Sequence, residues 1–167
     1  YFDIVAKSLD KCTFKLAING TEAGVINKDT SYSSFFDGKS KVLSLTATDD
    51  EGNALKKGTD FDYAVYRDPE CTEPADDKED TTGIQELIHA ATYYLKITGL
   101  DGSNYAGGER VYTYMIKPKN ISPTDIVITD QTYTGSAVVP DPANITVYYK
   151  EGSKNVTLDS QYVEVVS

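Results

Sequence analysis

Three observations predict an all-β chain folded as an antiparallel sandwich. Apolar residues recur with a period of two in one segment after another, the spacing that sends alternate side chains of a strand to a core and to solvent. Turn-forming pairs separate these segments about every ten residues, as in sandwich domains. The aromatic residues are 13 Tyr and 5 Phe with no Trp. Tyr, together with the many Thr and Val, suits a pleated surface and loses rotamer freedom in a helix.

The first alternating run sets Cys12, Phe14, Leu16 and Ile18 against Thr13, Lys15 and Ala17. Asn19-Gly20 follows, the strongest short hairpin signal. Leu43/Leu45/Ala47, Phe61/Tyr63/Val65, Tyr93/Leu95/Ile97 and Tyr112/Tyr114/Ile116 repeat the pattern, and so do Ile126/Ile128, Ile145/Val147/Tyr149 and the segment around Tyr162 to Val166. Asp37-Gly38, Glu51-Gly52-Asn53, Lys57-Gly58, Asp101-Gly102, Gly107-Gly108 and Glu151-Gly152 supply turns between them. Residues 67–82 break the alternation. Asp68, Glu70, Glu73, Asp76, Asp77, Glu79 and Asp80, with Pro69 and Pro74, predict a solvated loop. Beyond it, Ile84, Leu87, Ile88 and Ala91 fall at i, i+3, i+4 and i+7, which predicts a short helix or, failing that, an irregular crossover.

Charge and length exclude several classes. The chain has 167 residues, 16 Lys+Arg and 26 Asp+Glu, for a net charge of −10. A polyanionic nucleic acid is repelled by that field. No apolar run approaches the roughly 20 residues that span a bilayer. The first residues, Tyr1-Phe2-Asp3-Ile4-Val5, carry neither an initiator Met nor a basic leader, so the chain is expected to be part of something longer.

Catalytic chemistry has few candidates. His89 is the sole histidine and lies near no Gly-x-Ser-x-Gly elbow, so no hydrolytic triad is expected. Paired carboxylates among Asp49, Asp50 and Glu51 or in the acidic loop would need a cleft at a defined separation. No phosphate loop, zinc spacing or dinucleotide fingerprint occurs.

Two blocks of the chain resemble each other. Leu45-Thr46-Ala47, Glu51-Gly52 and the segment from Asp60 to Val65 recur as Ile145-Thr146-Val147, Glu151-Gly152 and the segment from Asp159 to Val165. The offset is about 100 residues, the size of one sandwich domain. Thr30-Ser31-Tyr32-Ser33 matches Gln131-Thr132-Tyr133-Thr134, and Phe2-Asp3-Ile4 matches Tyr114-Met115-Ile116. Residues 11–31 exceed the second copy around Gly20-Thr21-Glu22-Ala23-Gly24. The expected domains are 1–117, complete, and 118–167, a partial second repeat without counterparts of residues 92–116. Its uncovered strands could accept a strand from another chain. Pro118 and Pro123 favour an extended junction.

The run Gly58-Thr59-Asp60-Phe61-Asp62-Tyr63, then Ala91-Thr92-Tyr93-Tyr94-Leu95-Lys96-Ile97-Thr98-Gly99, then Asn104-Tyr105-Ala106-Gly107 and a closing Tyr114-Met115-Ile116, resembles the bacterial Ig-like repeats found in tandem on cell-surface proteins and adhesins of Gram-positive bacteria. The resemblance covers about residues 30–167 and implies an Ig-like sandwich in a secreted, wall-associated protein. The implied role is a stalk or adhesin spacer without catalytic activity or cofactor, its partners being adjacent repeats. The alternative is a module that binds a host protein such as mucin or immunoglobulin, or a glycan. The sequence departs from the pattern at Ala91, where Gly is usual, and at Asp101-Gly102, which widens the turn.

In such a setting several residues become candidates. Calcium would seek the oxygens of Asp49, Asp50 and Glu51 or of Asp76 and Asp77, although neither set has EF-hand spacing and plain solvated acid is the alternative. Cys12 and Cys71 could pair as a disulfide worth roughly 3–4 kcal/mol on a loop-entropy account, or remain separate thiols with Cys12 as a small core hydrophobe. Surface repeats of this kind sometimes carry Lys–Asn isopeptide links. Lys15, Lys41 and Lys96, with Asn144 and Asn155, are the candidates, but the strand alternation is expected to turn these lysines to solvent. Asn19, Asn120, Asn144 and Asn155 open Asn-x-Ser/Thr sequons. Tyr94, Tyr105 and Tyr148 are expected to project outward, as ligand contacts or as cross-strand pairs.

Overall fold

The computed structural model describes residues 5–27, 31–77, 83–105, 108–122, 125–151, 153–160 and 163. The chain divides into two compact units, Tyr1–Lys117 and Pro118–Ser167.

The first unit is the expected antiparallel sandwich. Its strands are β1 (Thr13–Ile18), β2 (Thr21–Ile26), β3 (Tyr32–Phe35), β4 (Lys41–Thr48), β5 (Ala54–Leu55), β6 (Phe61–Tyr66), β7 (Glu86–Leu87), β8 (Thr92–Gly99) and β9 (Glu109–Lys117). One sheet has the order β2-β1-β4-β5, with β7 beside the start of β4, and the other has the order β3-β9-β8-β6. Among the described strands β3 runs parallel to its neighbour β9, with Tyr32 opposite Tyr114, and an isolated parallel bridge joins Lys57 to Phe61. The predicted alternation places Phe14, Leu16, Leu43, Leu45 and Ala47 on the inner face of one sheet. Phe61, Val65, Tyr93, Leu95, Ile97, Tyr112, Tyr114 and Ile116 line the inner face of the other. Phe14 meets Phe61 edge to face, with ring centroids 5.5 Å apart, the geometry that the ring quadrupoles favour.

The residues in excess of the repeat form the arm β2. Asn19 and Gly20 have φ of 49° and 77°, both left-handed, as a two-residue hairpin turn requires. The Asn19 side chain fixes the turn by donating to Ser40 O and accepting from Val42 N. The register then slips between Leu16 and Ala17, a bulge that bends an otherwise open edge. Gly24 sits there at φ 131°, and a Cβ on it would lie 2.8 Å from the Tyr32 hydroxyl. That hydroxyl donates to Val25 O. The bulge interrupts the alternation of Thr21–Ile26, so the sequence pattern does not show β2 as a strand.

The expected helix over 84–91 is absent, and its residues form β7 and a turn. Leu87 alone of the four patterned residues is fully buried, while Ile84 is exposed. The peptide groups bond outward: Lys41 and Val42 pair with Leu87 and Glu86, and Ile88 N and His89 N go to the Asp77 carboxylate. The neighbouring Gln85 side chain acts as a strand partner. Its amide accepts from Val65 N and donates to Val65 O and Ala75 O. Ala75 N also donates to Val65 O, so the outer edge of β6 is closed by a loop and one side-chain amide.

In the second unit β10 (Ile126–Ile128), β11 (Ile145–Glu151) and β12 (Lys154–Thr157) form a three-stranded antiparallel sheet. Its strand order is that of β1-β4-β5, and the register of β10 on β11 matches that of β1 on β4, while the β11–β12 hairpin pairs closer to its turn than β4 and β5 do. Ile126 faces Val147 and Ile128 faces Ile145, as Phe14 faces Ala47 and Leu16 faces Leu45. The strand expected around Tyr162 lies outside the described residues.

Two substitutions check this account of the edges. Gln85→Ala leaves Val65 N without its acceptor, Val65 O keeping its bond from Ala75 N, and should cost about 1–3 kcal/mol in urea unfolding, with sedimentation showing new self-association through the exposed edge. Gly24→Ala should cost about 1–3 kcal/mol, because it strains the backbone and displaces the Tyr32 hydroxyl. Tyr32→Phe in the Gly24→Ala background should recover part of that loss in the same assay.

Candidate functional site

The carboxylates singled out by the sequence are brought into two structural hubs. Asp49 closes the turn after β4: its Oδ1 accepts from Glu51 N at 3.0 Å and Asn53 N at 2.8 Å. Its Oδ2 accepts from Lys7 Nζ at 3.0 Å, Tyr105 Oη at 3.0 Å and Asn53 Nδ2 at 3.1 Å. The side chain is only 1% exposed. Hydrogen bonding from the Asn53 amide, reinforced by Lys7, outweighs burial and holds this carboxyl well below the usual carboxylate range. Lys7 is raised in turn, chiefly by its bond to Asp49. Both oxygens thus accept from protein donors, and Asp50 and Glu51 lie at 3.5 and 3.2 Å from the same Lys7 ammonium.

Tyr105 is therefore not an outward-facing residue. It is 9% exposed, folded inward by the turn at 101–104, where Ser103 Oγ accepts from Tyr105 N. Burial, with the bond to Asp49, pushes its hydroxyl up from the ordinary tyrosine value.

The described part of the acidic loop, residues 67–77, corrects the expectation of a freely solvated segment, and residues 78–82 lie outside the described residues. Ala75 is fully buried, and the Asp77 side chain is 0% exposed. Asp77 Oδ1 takes Arg67 Nη2 at 2.5 Å. Its Oδ2 takes Ile88 N at 2.5 Å, His89 N at 2.9 Å and Tyr93 Oη at 3.1 Å, with His89 Nδ1 also at 3.1 Å. Burial would raise this carboxyl, but the N–H groups of Ile88 and His89 and the Arg67 guanidinium outweigh it and hold the value well below the carboxylate range. Tyr93 is pushed up, by burial first and by Asp77 next. The Asp77–His89 pair has the spacing of an acid–base dyad. The hydroxyl bonded to it is that of Tyr93, which is committed to Asp77 and His89 O. Chemically the cluster is a brace that pins the loop to the turn before β8. Asp76 accepts from Glu86 N. Among the described residues no group of three or more His, Cys, Asp or Glu side chains is placed to hold a metal ion.

The remaining candidates are dispersed. Cys12 and Cys71 are both free thiols, contrary to the disulfide expectation. Cys12 is packed in the core with its Sγ near Ser8 O, and Cys71 lies in the turn at 68–73. Lys15 and Lys96 face outward and pair with Glu22 and Glu109. Lys41 does not: it is buried, because position 41 is in phase with Leu43, Leu45 and Ala47 on β4. Its ammonium is neutralised by Asp37 Oδ1 at 2.5 Å. The sequence carried that signal in its parity. Tyr148 is half-buried on β11.

Tyr94 is half-buried on the outer face of the β3-β9-β8-β6 sheet, directly opposite Tyr66. Ala64, between Asp62 and Tyr66, leaves a hollow of about 230 Å³ walled by those residues, Tyr63, Lys96 and Thr98. Val111 and Phe35 are exposed on this sheet. Charges interleave them: Lys96 pairs with Glu109 at 2.8 Å, and Lys117 Nζ lies 5.9 Å from the Phe35 ring centroid.

The two depressed carboxyls set an acid limit. Free Asp titrates near 3.9. Stability contributed by Asp49 and Asp77 is therefore complete above about pH 4 and is lost as pH falls through their lower folded values. Urea unfolding between pH 5 and 2 should show stability falling with acidification. Asp77→Asn should lower stability at pH 5 and make the fall shallower, whereas an unchanged slope would assign the acid lability to other groups. No family model matches the chain, and neither a curated protein nor a solved structure matches it.

Proposed function

We propose that the first unit is a non-enzymatic, load-transmitting repeat module of a bacterial cell-surface protein or adhesin, a stalk or spacer element. The observation that supports it best is where the chain enters and leaves. Strand β9 runs from Glu109 to Lys117, nine residues, or about 30 Å at strand rise. The entering segment is tied at Lys7 N to Asn104 O, beside the start of that strand. The leaving segment is tied at Lys117 O to Phe36 N, at its far end. Tension applied to the two ends then passes along the sandwich rather than around one end of it.

Two further features support the reading. The acidic residues best placed for chemistry are consumed by fold-forming bonds at Asp49 and Asp77. The sheet of the second unit repeats the strand order of β1-β4-β5 and the register of β1 on β4, which fits modules in tandem. The assignment to a bacterial surface rests on the resemblance of residues 30–167 to Ig-like repeats.

A second reading is favoured by the hollow lined by Tyr63 and Tyr66 beside Asp62, Lys96 and Thr98, with Tyr94 paired across from Tyr66. That combination suits a sugar ring, stacked on one side and hydrogen-bonded on the other.

Single-molecule pulling between residues 5 and 117 tests the leading reading. The first unit should unfold at a distinct force peak with a length gain of about 35 nm, from the fully extended chain less its folded length. Extension without a peak would rule out a load-bearing role. Saturable binding of a host glycan or mucin that Tyr66→Ala and Tyr94→Ala abolish would establish the second reading instead.

A further inference from the structure

We propose that β2 and β3 act together as a mechanical strap that bonds β1 to β9, the two strands through which tension enters and leaves the first unit. The inference deepens the load-transmitting reading and rests on it.

Both strands lie along the line of pull. Arg110, at the start of β9, donates to Asp10, just before β1, at 3.1 and 3.3 Å. At the other end Asn19, just after β1, is bonded to Ser40 and Val42, and Lys117 O accepts from Phe36 N. Phe36 and Ser40 are joined by a short loop, so β1 and β9 run the same way, from the entering end to the leaving end, in different sheets. Tension that draws the entering segment back and Lys117 forward pulls each strand along its own axis. Ladder bonds lie across the strands, so this load shears a whole ladder at once and does not peel it bond by bond.

Resistance to that sliding depends on how many ladders hold each strand. One side of β1 is paired with β4, and one side of β9 with β8. The second side of each comes from two strands that follow one another in the chain: β2 pairs with β1 from Phe14 to Ile18, and β3 pairs with β9 from Tyr114 to Lys117. Without them β1 and β9 would both be edge strands. β2 and β3 are also tied to each other across the two sheets, since Tyr32 Oη donates to Val25 O at 2.9 Å. Gly24 permits that approach, because a Cβ there would lie 2.8 Å from the same hydroxyl. Ser34 Oγ and Tyr114 Oη share a hydrogen bond of 2.8 Å, which adds a side-chain tie between β3 and β9. A path of hydrogen bonds thus leads from β1 through β2 and β3 to β9, beside the packing of the core.

The test is pulling of the whole chain at constant force between residues 5 and 117, for the parent, for Tyr32→Phe/Ser34→Ala and for Gln85→Ala. The first variant removes two hydroxyl groups, both in the strap. Gln85→Ala weakens the outer edge of β6, a strand that pairs with neither β1 nor β9. Urea unfolding of the same chains places the two variants on a common scale of stability. Forced unfolding follows the unfolding rate, and that rate rises with the loss of bonds already broken at the barrier. Tyr32→Phe/Ser34→Ala should therefore speed unfolding under force at least about fivefold. Gln85→Ala, whose bonds persist when the strap yields, should speed it less than about twofold. Equal acceleration by the two variants at matched stability, or none from the strap variant, would overturn the proposal and leave the load-bearing reading standing. A parent that extends without resistance would overturn both. Should the double variant fail to fold, Tyr32→Phe alone takes its place, with the same comparison.

Discussion

One buried carboxylate organises an end of the sandwich. Asp49 gathers donors from three places far apart in the chain: Lys7 before the first strand, Glu51 and Asn53 in its own turn, and Tyr105 before the last strand. A lone buried carboxylate is costly, and this one is tolerable only because all those donors arrive together. The consequence is cooperative. The entering segment, the β4–β5 turn and the approach to β9 are correct simultaneously or not at all, which is why an acidic turn that reads as solvated surface in the sequence becomes a junction in the fold.

The opposite problem, an open strand edge, is met by different means at each border of the first unit. On β2 a bulge and Gly24 bend the strand away from regular pairing. On β6 the acidic loop is folded down, braced by Asp77, and the Gln85 amide completes the ladder at Val65. These devices favour an assembly that joins end to end over one that joins edge to edge.

The sandwich was legible because its core positions alternate without interruption on β4, β6, β8 and β9. Legibility fails wherever a strand is defined by something other than alternation. β3 exists through its parallel pairing to β9, and β2 carries a bulge. Residues 84–91 show a helical spacing of apolar groups, but their peptide bonds are drawn away by Asp77 and by β4. At the candidate sites the missing information is likewise non-local. Nothing in the neighbourhood of Asp77 reveals that Arg67, His89 and Tyr93 converge on it, and Tyr105 is drawn inward by a carboxylate 56 positions away. Lys41 is a different case, because its parity with Leu43 already marked it as inward.

The β1–β2 turn has a bearing on durability. An asparagine followed by glycine is the sequence most prone to spontaneous cyclisation, in which the following peptide nitrogen attacks the side-chain carbonyl and ammonia departs. Here that carbonyl accepts from Val42 N and the amide nitrogen donates to Ser40 O, so the Asn19 side chain is held against β4 and withheld from its neighbour's attack. The same two bonds that set the hairpin therefore also protect it from chemical ageing.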